Sequence, residues 1–170
     1  MQAKVLNLLV TGLGGQGVLK ASDILAQAAF DAGFDVKKSE LHGMSQRGGS
    51  VWSDVRFGGE VLSPMIPEGE ADYLVALASD QVEPHRSQLR PGGVLITPAE
   101  VGGLNLPNRR SLNVALLGCL SRYLDLPQES WMRALKAQLS ENLFEPNRIA
   151  FLMGRGASPA PEPARSNPGS

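Results

Sequence analysis

Residues 4–17, KVLNLLVTGLGGQG, decide the fold that the sequence predicts. The run 4–11 is short and apolar and is followed at once by glycines, which is typical of a buried strand. A helix over roughly 16–32 follows, with apolar residues on one face, and Gly33 stands where a left-handed C-terminal cap is expected. Residues 34–38 read as a second strand, so the order predicts a βαβ unit with parallel strands.

The remaining sequence predicts shorter elements around this unit. Residues 39–50 are polar and too irregular for a regular element. The expected elements after them are a hairpin of 51–57 with 60–62, buried strands at 72–78 and 94–97, a short helix near 80–89, and helices from Ser111 to about 124, from Pro127, and from Pro146 to just before Gly154. In the short helix, Asp80, Glu83, His85 and Arg86 suggest a solvated face.

Together these elements predict an α/β fold: a Rossmann-like three-layer domain with a mostly parallel sheet, a β-hairpin and a helical C-terminal part. The domain is expected to span residues 1–154. Residues 155–170, RGASPAPEPARSNPGS, contain no core-forming residue and predict a disordered tail.

Composition excludes several function classes. The chain has 170 residues, a net charge of -1 and no basic tract, which argues against nucleic acid or an anionic membrane as partner. No apolar run approaches the roughly 20 residues that span a bilayer, so we expect a cytoplasmic protein. One cysteine and two histidines cannot supply an iron–sulfur cluster, and they make a structural zinc site improbable.

The first chemistry-bearing motif is Gly12-x-Gly14-x-x-Gly17, between a strand and a helix. Glycines here let the backbone approach a phosphate, and a helix N-terminus supplies free N–H groups. Glu40 follows the second strand, about where a ribose-binding acid would lie. Two alternatives stay open: the glycines serve only close helix–sheet packing, and Glu40 is a solvated loop carboxylate. NAD binding is disfavoured, because the chain has about half the strands of a full dinucleotide fold.

The second motif is residues 39–50, SELHGMSQRGGS. Long loops without periodic structure are often functional. Arg47 beside Gly48 could present its guanidinium to a carboxylate or phosphate, or it could pair with a local acid such as Glu40 or Asp54. His42 could titrate near neutral pH or could be a hydrogen-bonded structural residue. Ser45 has no histidine and carboxylate that the sequence places beside it, so a catalytic triad is not expected.

The two glycine segments together resemble a known family. GLGGQGVLKASDILAQAA at 12–29, VKKSELHGMSQRGGSVWSDVRFG at 36–58 and SPMIPEGEADYLVAL at 63–77 are similar to the gamma-type domain of the 2-oxoacid:ferredoxin oxidoreductases. The stretch HGMSQRGG is the most specific part, and it is most similar to the indolepyruvate-type members. The resemblance covers about residues 5–154.

The resemblance implies a subunit that is not active alone. Such enzymes oxidatively decarboxylate a 2-oxoacid with coenzyme A, giving an acyl-CoA, carbon dioxide and reduced ferredoxin. It implies a large catalytic partner subunit that carries thiamine diphosphate and the iron–sulfur clusters, and an aryl or branched 2-oxoacid as substrate. Two alternatives stay open: a non-catalytic interaction module of such a complex, and a free-standing nucleotide-binding oxidoreductase.

We expect both motifs to lie together at the carboxyl ends of the first strands, facing the partner's active site. There they would help to cradle the phosphate-bearing tail of coenzyme A, or would shield the thiamine adduct from water. No residue of this chain is expected to be catalytic, and no metal ligand is expected. The predicted binding residues are Gly12, Gly14, Gly15, Gln16, Gly17, Glu40, His42, Ser45, Gln46, Arg47 and Gly48.

Overall fold

The computed structural model describes residues 3–42 and 49–157, without the side chain of His42. All five strands lie within residues 6–96, with α-helices after the first and fourth of them, and three helices follow in the rest of the described chain. In chain order the elements are β1 (Leu6–Leu13), α1 (Val18–Asp31), β2 (Asp35–His42), β3 (Ser50–Gly58), β4 (Ala71–Ala76), α2 (Val82–His85), β5 (Leu89–Ile96), α3 (Leu112–Ser121), α4 (Gln128–Gln138) and α5 (Glu141–Gly156). Short 3-10 turns flank α2 and precede α3.

The five strands form one mixed sheet in the order β2-β3-β1-β4-β5. β4 pairs parallel with β1 and with β5, whereas β3 pairs antiparallel with both β1 and β2. β1 and β2 therefore run in the same direction, as the βαβ prediction requires, but they are not neighbours because β3 lies between them. Only β3 opposes the other four strands, so the sheet is mostly parallel in direction.

The hairpin prediction named the wrong second arm. β3 pairs with β2, from Asp35 opposite Gly58 to His42 opposite Val51, and residues 60–62 form no strand. The prediction that 39–50 contains no regular element is also wrong for 39–42, which complete β2. β2 is an edge strand, and an edge strand can carry charged residues on both faces because it is partly exposed. Its sequence, DVKKSELH, therefore lacks the apolar run that indicates a buried strand.

The end of α1 agrees with its glycine signal. Gly33 has a positive φ of 95°, the amide of Gly33 donates to Phe30 O at 2.9 Å, and the amide of Phe34 donates to Ala29 O at 3.2 Å. This pair of bonds is a Schellman motif, in which glycine relieves the steric penalty of the left-handed residue. The helix is therefore stopped locally, and β2 can start two residues later.

The two faces of the sheet are covered unequally. The main core lies on the face that α1 covers, and residues of α3, α4 and α5 pack into the same cluster; Leu8, Val10, Val55 and Phe57 point to this side. The opposite face carries a smaller cluster, whose buried members are Leu9, Ala71 and Leu74. The third layer of the fold is the short helical segment of residues 79–88.

The C-terminal helices differ from their predicted bounds. α3 ends at Ser121 rather than near 124, and α5 starts at Glu141, so Pro146 lies inside it instead of opening it. Proline near a helix start removes a single intrahelical hydrogen bond, which packing can compensate. α5 also continues to Gly156, two residues beyond the predicted end of the domain, and residues 158–170 lie outside the described part of the chain. No helix among the described residues is long and apolar enough to cross a membrane.

β5 is longer at its start than predicted. It begins at Leu89 rather than Val94, and it includes the Pro91-Gly92-Gly93 stretch that indicated a break. The pairing of β4 with β5 shifts register between Ala71 and Tyr73. Such an irregularity, with the positive φ of 77° at Gly92, lets an edge strand contain proline and glycine.

Candidate functional site

The two glycine segments meet at the carboxyl ends of the parallel strands. Leu13, at the end of β1, lies opposite Ser50, at the start of β3. The amide of Gly14 donates to the carbonyl of Gly49 at 2.9 Å. β4 ends at the same edge, because the amide of Leu77 donates to Thr11 O at 2.8 Å. The second segment therefore meets the glycine turn at its C-terminal end, residues 49 and 50, whereas its described start, residues 39–42, lies on β2 with β3 in between.

Each glycine of the first motif has its own structural reason. A Cβ on Gly12 would meet Val18 Cγ2 at 2.9 Å and Leu77 Cβ at 3.0 Å, so close packing requires glycine there. Gly15 has a positive φ of 88° with open space around its Cβ position. Gly17, the N-cap of α1, has a φ of 82°, and a Cβ there would overlap the side-chain amide of Asn113. The close-packing alternative thus accounts for Gly12, whereas Gly15 leaves room for a ligand.

Gln16 closes the turn with its own side chain. Its Oε1 accepts from the amide of Leu13 at 2.7 Å, and its Nε2 donates to Leu77 O at 3.5 Å, the second being a weak bond. The side chain therefore links the glycine turn to the end of β4. Its proposed contact with a ligand stays a prediction.

Asn113 and Gln81, two polar residues that the sequence analysis did not predict at the site, support this edge. Asn113 of α3 donates from Nδ2 to the carbonyl of Gly17 at 3.1 Å and is only 7% exposed. Ser50 donates from Oγ to Oε1 of Gln81 at 2.6 Å, which joins the start of β3 to the turn after β4. Neither contact has a local signal, because Asn113 is 96 residues away from its partner and Gln81 is 31 away.

The glycine turn offers free backbone donors for an anion. Gly14 and Gly15 are exposed, and within the described residues the amides of Gly15 and Gly17 have no acceptor. The first amides of α1 are also unpaired in an α-helix, and the helix dipole places partial positive charge there. The residues present therefore fit a phosphate group approaching the N-terminus of α1.

Glu40 is not beside this turn. It lies on β2, which is separated from β1 by β3 and therefore by roughly 10 Å at normal strand spacing. Its Oε1 accepts from Lys38 Nζ at 2.6 Å, and Lys38 also pairs with Asp23 of α1. Burial lowers the pKa of Lys38, but the hydrogen bonds and charges of Asp23 and Glu40 together raise it. Glu40 is thus a strand residue in an ion-pair network, neither a loop carboxylate nor placed as a ribose-binding acid.

Other predicted residues belong to the second segment. His42 ends β2, and nothing can be said of its side chain. Ser45, Gln46, Arg47 and Gly48 lie outside the described residues. Their binding roles stay predictions.

A second concave region lies on the less covered face of the sheet. We name it the open-face groove; it has a volume of about 510 Å³ and is lined by Leu9, Leu41, Trp52, Asp54, Met65 and His85, among others. The rings of Trp52 and His85 are 5.1 Å apart. His85 is 7% exposed, so its assignment to a solvated helix face is wrong, and burial lowers its pKa. Burial raises the pKa of Asp54, partly offset by the amide of Ile66 and by Arg56.

The single cysteine is not placed to act as a metal ligand or a nucleophile. Cys119 is fully buried in α3 and its Sγ donates to Gly154 O at 3.3 Å. Burial raises the pKa of this thiol to about 11, so it is protonated at neutral pH and is a poor ligand or nucleophile. Within residues 3–42 and 49–157, no group of three or more His, Cys, Asp or Glu residues could hold a metal ion.

Residues 7–111 match the family model described as pyruvate ferredoxin/flavodoxin oxidoreductase. The chain belongs to this family. The indolepyruvate oxidoreductase subunit IorB of Pyrococcus horikoshii is 44% identical over 96 residues, which are 56% of this chain and 48% of that protein. The subunit IorB of Methanothermobacter thermautotrophicus is 32% identical over 89% of this chain and 97% of its own length. The chain thus spans about half of the first relative and nearly all of the second.

Solved structures share the fold. The gamma subunit of a keto/oxoacid ferredoxin oxidoreductase from Geobacter sulfurreducens aligns with a TM-score of 0.75 at 22% identity, over 89% of this chain and 95% of that one. The 2-oxoglutarate:ferredoxin oxidoreductase from Magnetococcus marinus, solved with 2-oxoglutarate, coenzyme A and succinyl-CoA bound, gives the same TM-score and identity over 30% of its chain. At this identity the likeness establishes the α/β fold with its helical C-terminal part.

Proposed function

We propose that this chain is the small subunit of an indolepyruvate-type 2-oxoacid:ferredoxin oxidoreductase in the cytoplasm. The complex would oxidatively decarboxylate an aryl or branched 2-oxoacid to an acyl-CoA and reduce ferredoxin. Family membership and the two IorB relatives, at 44% and 32% identity, are the observations that carry the proposal.

In this proposal the large subunit holds thiamine diphosphate and the iron–sulfur clusters. The location of the clusters is supported by the single cysteine of this chain, which is a buried thiol whose pKa is raised to about 11. An iron–sulfur cluster usually needs four thiolates. The small subunit would therefore contribute binding surface and no electron carrier.

The proposed ligand of the glycine turn is the phosphate-bearing part of coenzyme A. The free amides of Gly15 and Gly17 and the N-terminus of α1 would donate to phosphate oxygens. Asn113 would position the turn by holding the carbonyl of Gly17. The relative solved with coenzyme A bound is a member of the same broad enzyme class, which agrees with this ligand.

Reconstitution tests the proposed function directly. The small and large subunits of the source genome would be purified together and separately and supplied with ferredoxin, coenzyme A and one 2-oxoacid at a time. We expect ferredoxin reduction by the complex with indolepyruvate, phenylpyruvate or a branched 2-oxoacid, and none by the small subunit alone. Turnover by the small subunit alone, or failure of the subunits to associate, refutes the proposal.

A matched pair of substitutions tests the glycine turn. Gly15 and Gly33 both have a positive φ, 88° and 95°, and both have open space around the Cβ position. Alanine at either position should cost about 1–2 kcal/mol of stability from backbone strain. Gly15→Ala should also raise the KM for coenzyme A in the assembled complex, whereas Gly33→Ala, at the other end of α1, should not. Equal KM values in both variants contradict phosphate binding at this turn.

Arg47→Ala separates ligand binding from the interaction-module alternative. If Arg47 contacts coenzyme A, the variant should assemble normally and show a higher KM for coenzyme A or a lower turnover. If the second segment serves only as a subunit interface, the same variant should bind the large subunit less tightly in a pull-down. Normal assembly with unchanged kinetics discards both roles for Arg47.

A further inference from the structure

The less covered face of the sheet has the composition of a contact surface. Within residues 3–42 and 49–157 the buried cluster on this face consists of Leu9, Ala71 and Leu74. Apolar side chains remain exposed at the groove: Leu41 is 37% exposed and Met65 is 54% exposed. Exposed apolar groups that rim a concave region often mark a site of contact with another molecule.

The open-face groove is held in shape by bonds within the chain. The carboxylate of Asp54 accepts from the amide of Ile66 at 3.0 Å, and Arg56 donates from Nη1 to the carbonyls of Ser63 at 2.8 Å and Met65 at 3.2 Å. Trp52 packs against His85 on the floor. The strand and the segment that carries Met65 are therefore fixed to one another, so the groove exists before any partner arrives.

The charge of the groove indicates what fits it. Asp54 and Glu68 line it, and none of its lining residues in the described part of the chain is Lys or Arg. Asp54 is only 8% exposed, and the guanidinium of nearby Arg56 donates to Asn7 and to the backbone carbonyls of Ser63 and Met65. Glu68 is exposed and has no ion-pair partner within the described residues. A complementary surface would bring an apolar side chain and a cation.

We propose that the open-face groove is an interface for the large subunit, and that it receives a segment with an apolar side chain next to a Lys or Arg. This inference rests on the proposed function, because it takes its partner from there. A second copy of this chain is a poorer occupant. A symmetric contact through the same groove would bring the exposed carboxylate of Glu68 to a groove that has no Lys or Arg among its described lining residues.

Two substitutions at the groove test the interface, each with a control elsewhere. Met65→Lys and Glu68→Lys change exposed groove side chains. Phe30→Lys, on α1 of the other face, and Glu60→Lys, after β3, likewise replace an apolar and an acidic side chain with lysine at exposed positions outside the groove. The affinity of each full-length variant for the purified large subunit would be measured by biolayer interferometry, and circular dichroism would confirm folding.

We expect Met65→Lys to raise the Kd for the large subunit about tenfold or more, as truncation or reversal at an interface anchor does. Glu68→Lys should raise it several-fold, with a smaller effect at high salt, because an exposed charge pair is screened. The two controls should bind as the wild-type chain does. The two groove variants are independent, so a folding defect in one leaves the other decisive.

The remaining outcomes each overturn the inference in a distinguishable way. If wild-type chain and groove variants bind the large subunit equally, the interface is elsewhere and the proposed function stands. If the wild-type chain does not bind at all, both the proposed function and this inference are refuted. Self-association that Met65→Lys abolishes would assign the groove to a second copy. Lost turnover with normal binding would assign it to a small ligand.

Discussion

Gly17→Ala should destabilise the protein through two separate effects. Gly17 has a φ of 82°, and an L-residue in this conformation costs roughly 1–2 kcal/mol. The new Cβ would overlap the side-chain amide of Asn113 and would come within 3.2 Å of its Cγ, so that side chain must move. Its movement breaks the 3.1 Å bond to Gly17 O and leaves a buried amide unsatisfied, which costs about 1–3 kcal/mol.

A double-mutant cycle with Asn113→Ala separates the two effects. Asn113→Ala removes the overlapping atoms, and its remaining Cβ lies at an ordinary 3.8 Å from the new one. Gly17 O keeps its bond from the amide of Ala21 at 2.9 Å, so this carbonyl stays paired. In the double variant only the backbone strain of Gly17→Ala is added. Its destabilisation should therefore be smaller than the sum of the single changes by about 1–3 kcal/mol.

Urea unfolding of the four proteins measures this interaction energy, provided that the m-value stays constant. Gly33→Ala is the control for strain alone, because Gly33 has a φ of 95° and no atom within 4 Å of its Cβ position. If the destabilisation of the double variant equals the sum of the two single destabilisations within about 0.5 kcal/mol, the overlap is refuted. The assigned role of Asn113 in fixing the glycine turn is then refuted as well.

Four further outcomes are expected. Gly154→Ala should destabilise the protein by about 1–3 kcal/mol or more in urea unfolding, since its Cβ would lie 2.8 Å from the carbonyl carbon of Ala115 in α3; Gly156→Ala, with open space, should not. Burial lowers the pKa of His85 below its ordinary value of 6.5, so as the pH falls the histidine takes up its proton in the unfolded chain before it does in the folded one. The free energy of unfolding should therefore decrease as the pH falls below about 6.5. His85→Gln should flatten that slope, and an equally steep slope would contradict it. Iodoacetamide should alkylate Cys119 slowly until the protein unfolds, because the thiol is buried and its pKa is raised to about 11. Titration with NADPH, followed by fluorescence, should show no binding.

Local signals predicted the elements around the glycine turn. The apolar run of β1, the apolar face of α1 and the glycine after it each act over a few residues, and Gly33 does adopt the left-handed conformation. The prediction was weaker where pairing is long-range. β2 contains Lys37, Lys38 and Glu40, and it is a strand because it pairs with β3. No single segment of the sequence reveals that pairing.

The site was predictable only in part for the same physical reason. The glycine spacing placed the turn and the N-terminus of α1 correctly. Asn113 and Gln81 reach the site through hydrogen bonds across the fold, and the open-face groove combines residues of β1, β2, β3 and α2. A helical pattern also cannot show which face of a one-turn helix is covered, which is why His85 was assigned to solvent although it packs on Trp52.

The position of β3 changes what the glycine turn can recognise. In a simple βαβ unit the strand after α1 lies beside β1, so an acid at its end can reach a ribose next to the turn. Here β3 occupies that place beside β1. Next to the turn lie the carbonyl of Gly49 and the side chain of Ser50 in place of that acid, and Glu40 pairs with Lys38 one strand farther out. The edge therefore keeps the backbone donors that suit a phosphate and loses the carboxylate that suits a dinucleotide ribose. That combination favours a phosphate-bearing ligand whose other end binds a different surface, which agrees with the proposed sharing of an active site with a partner subunit.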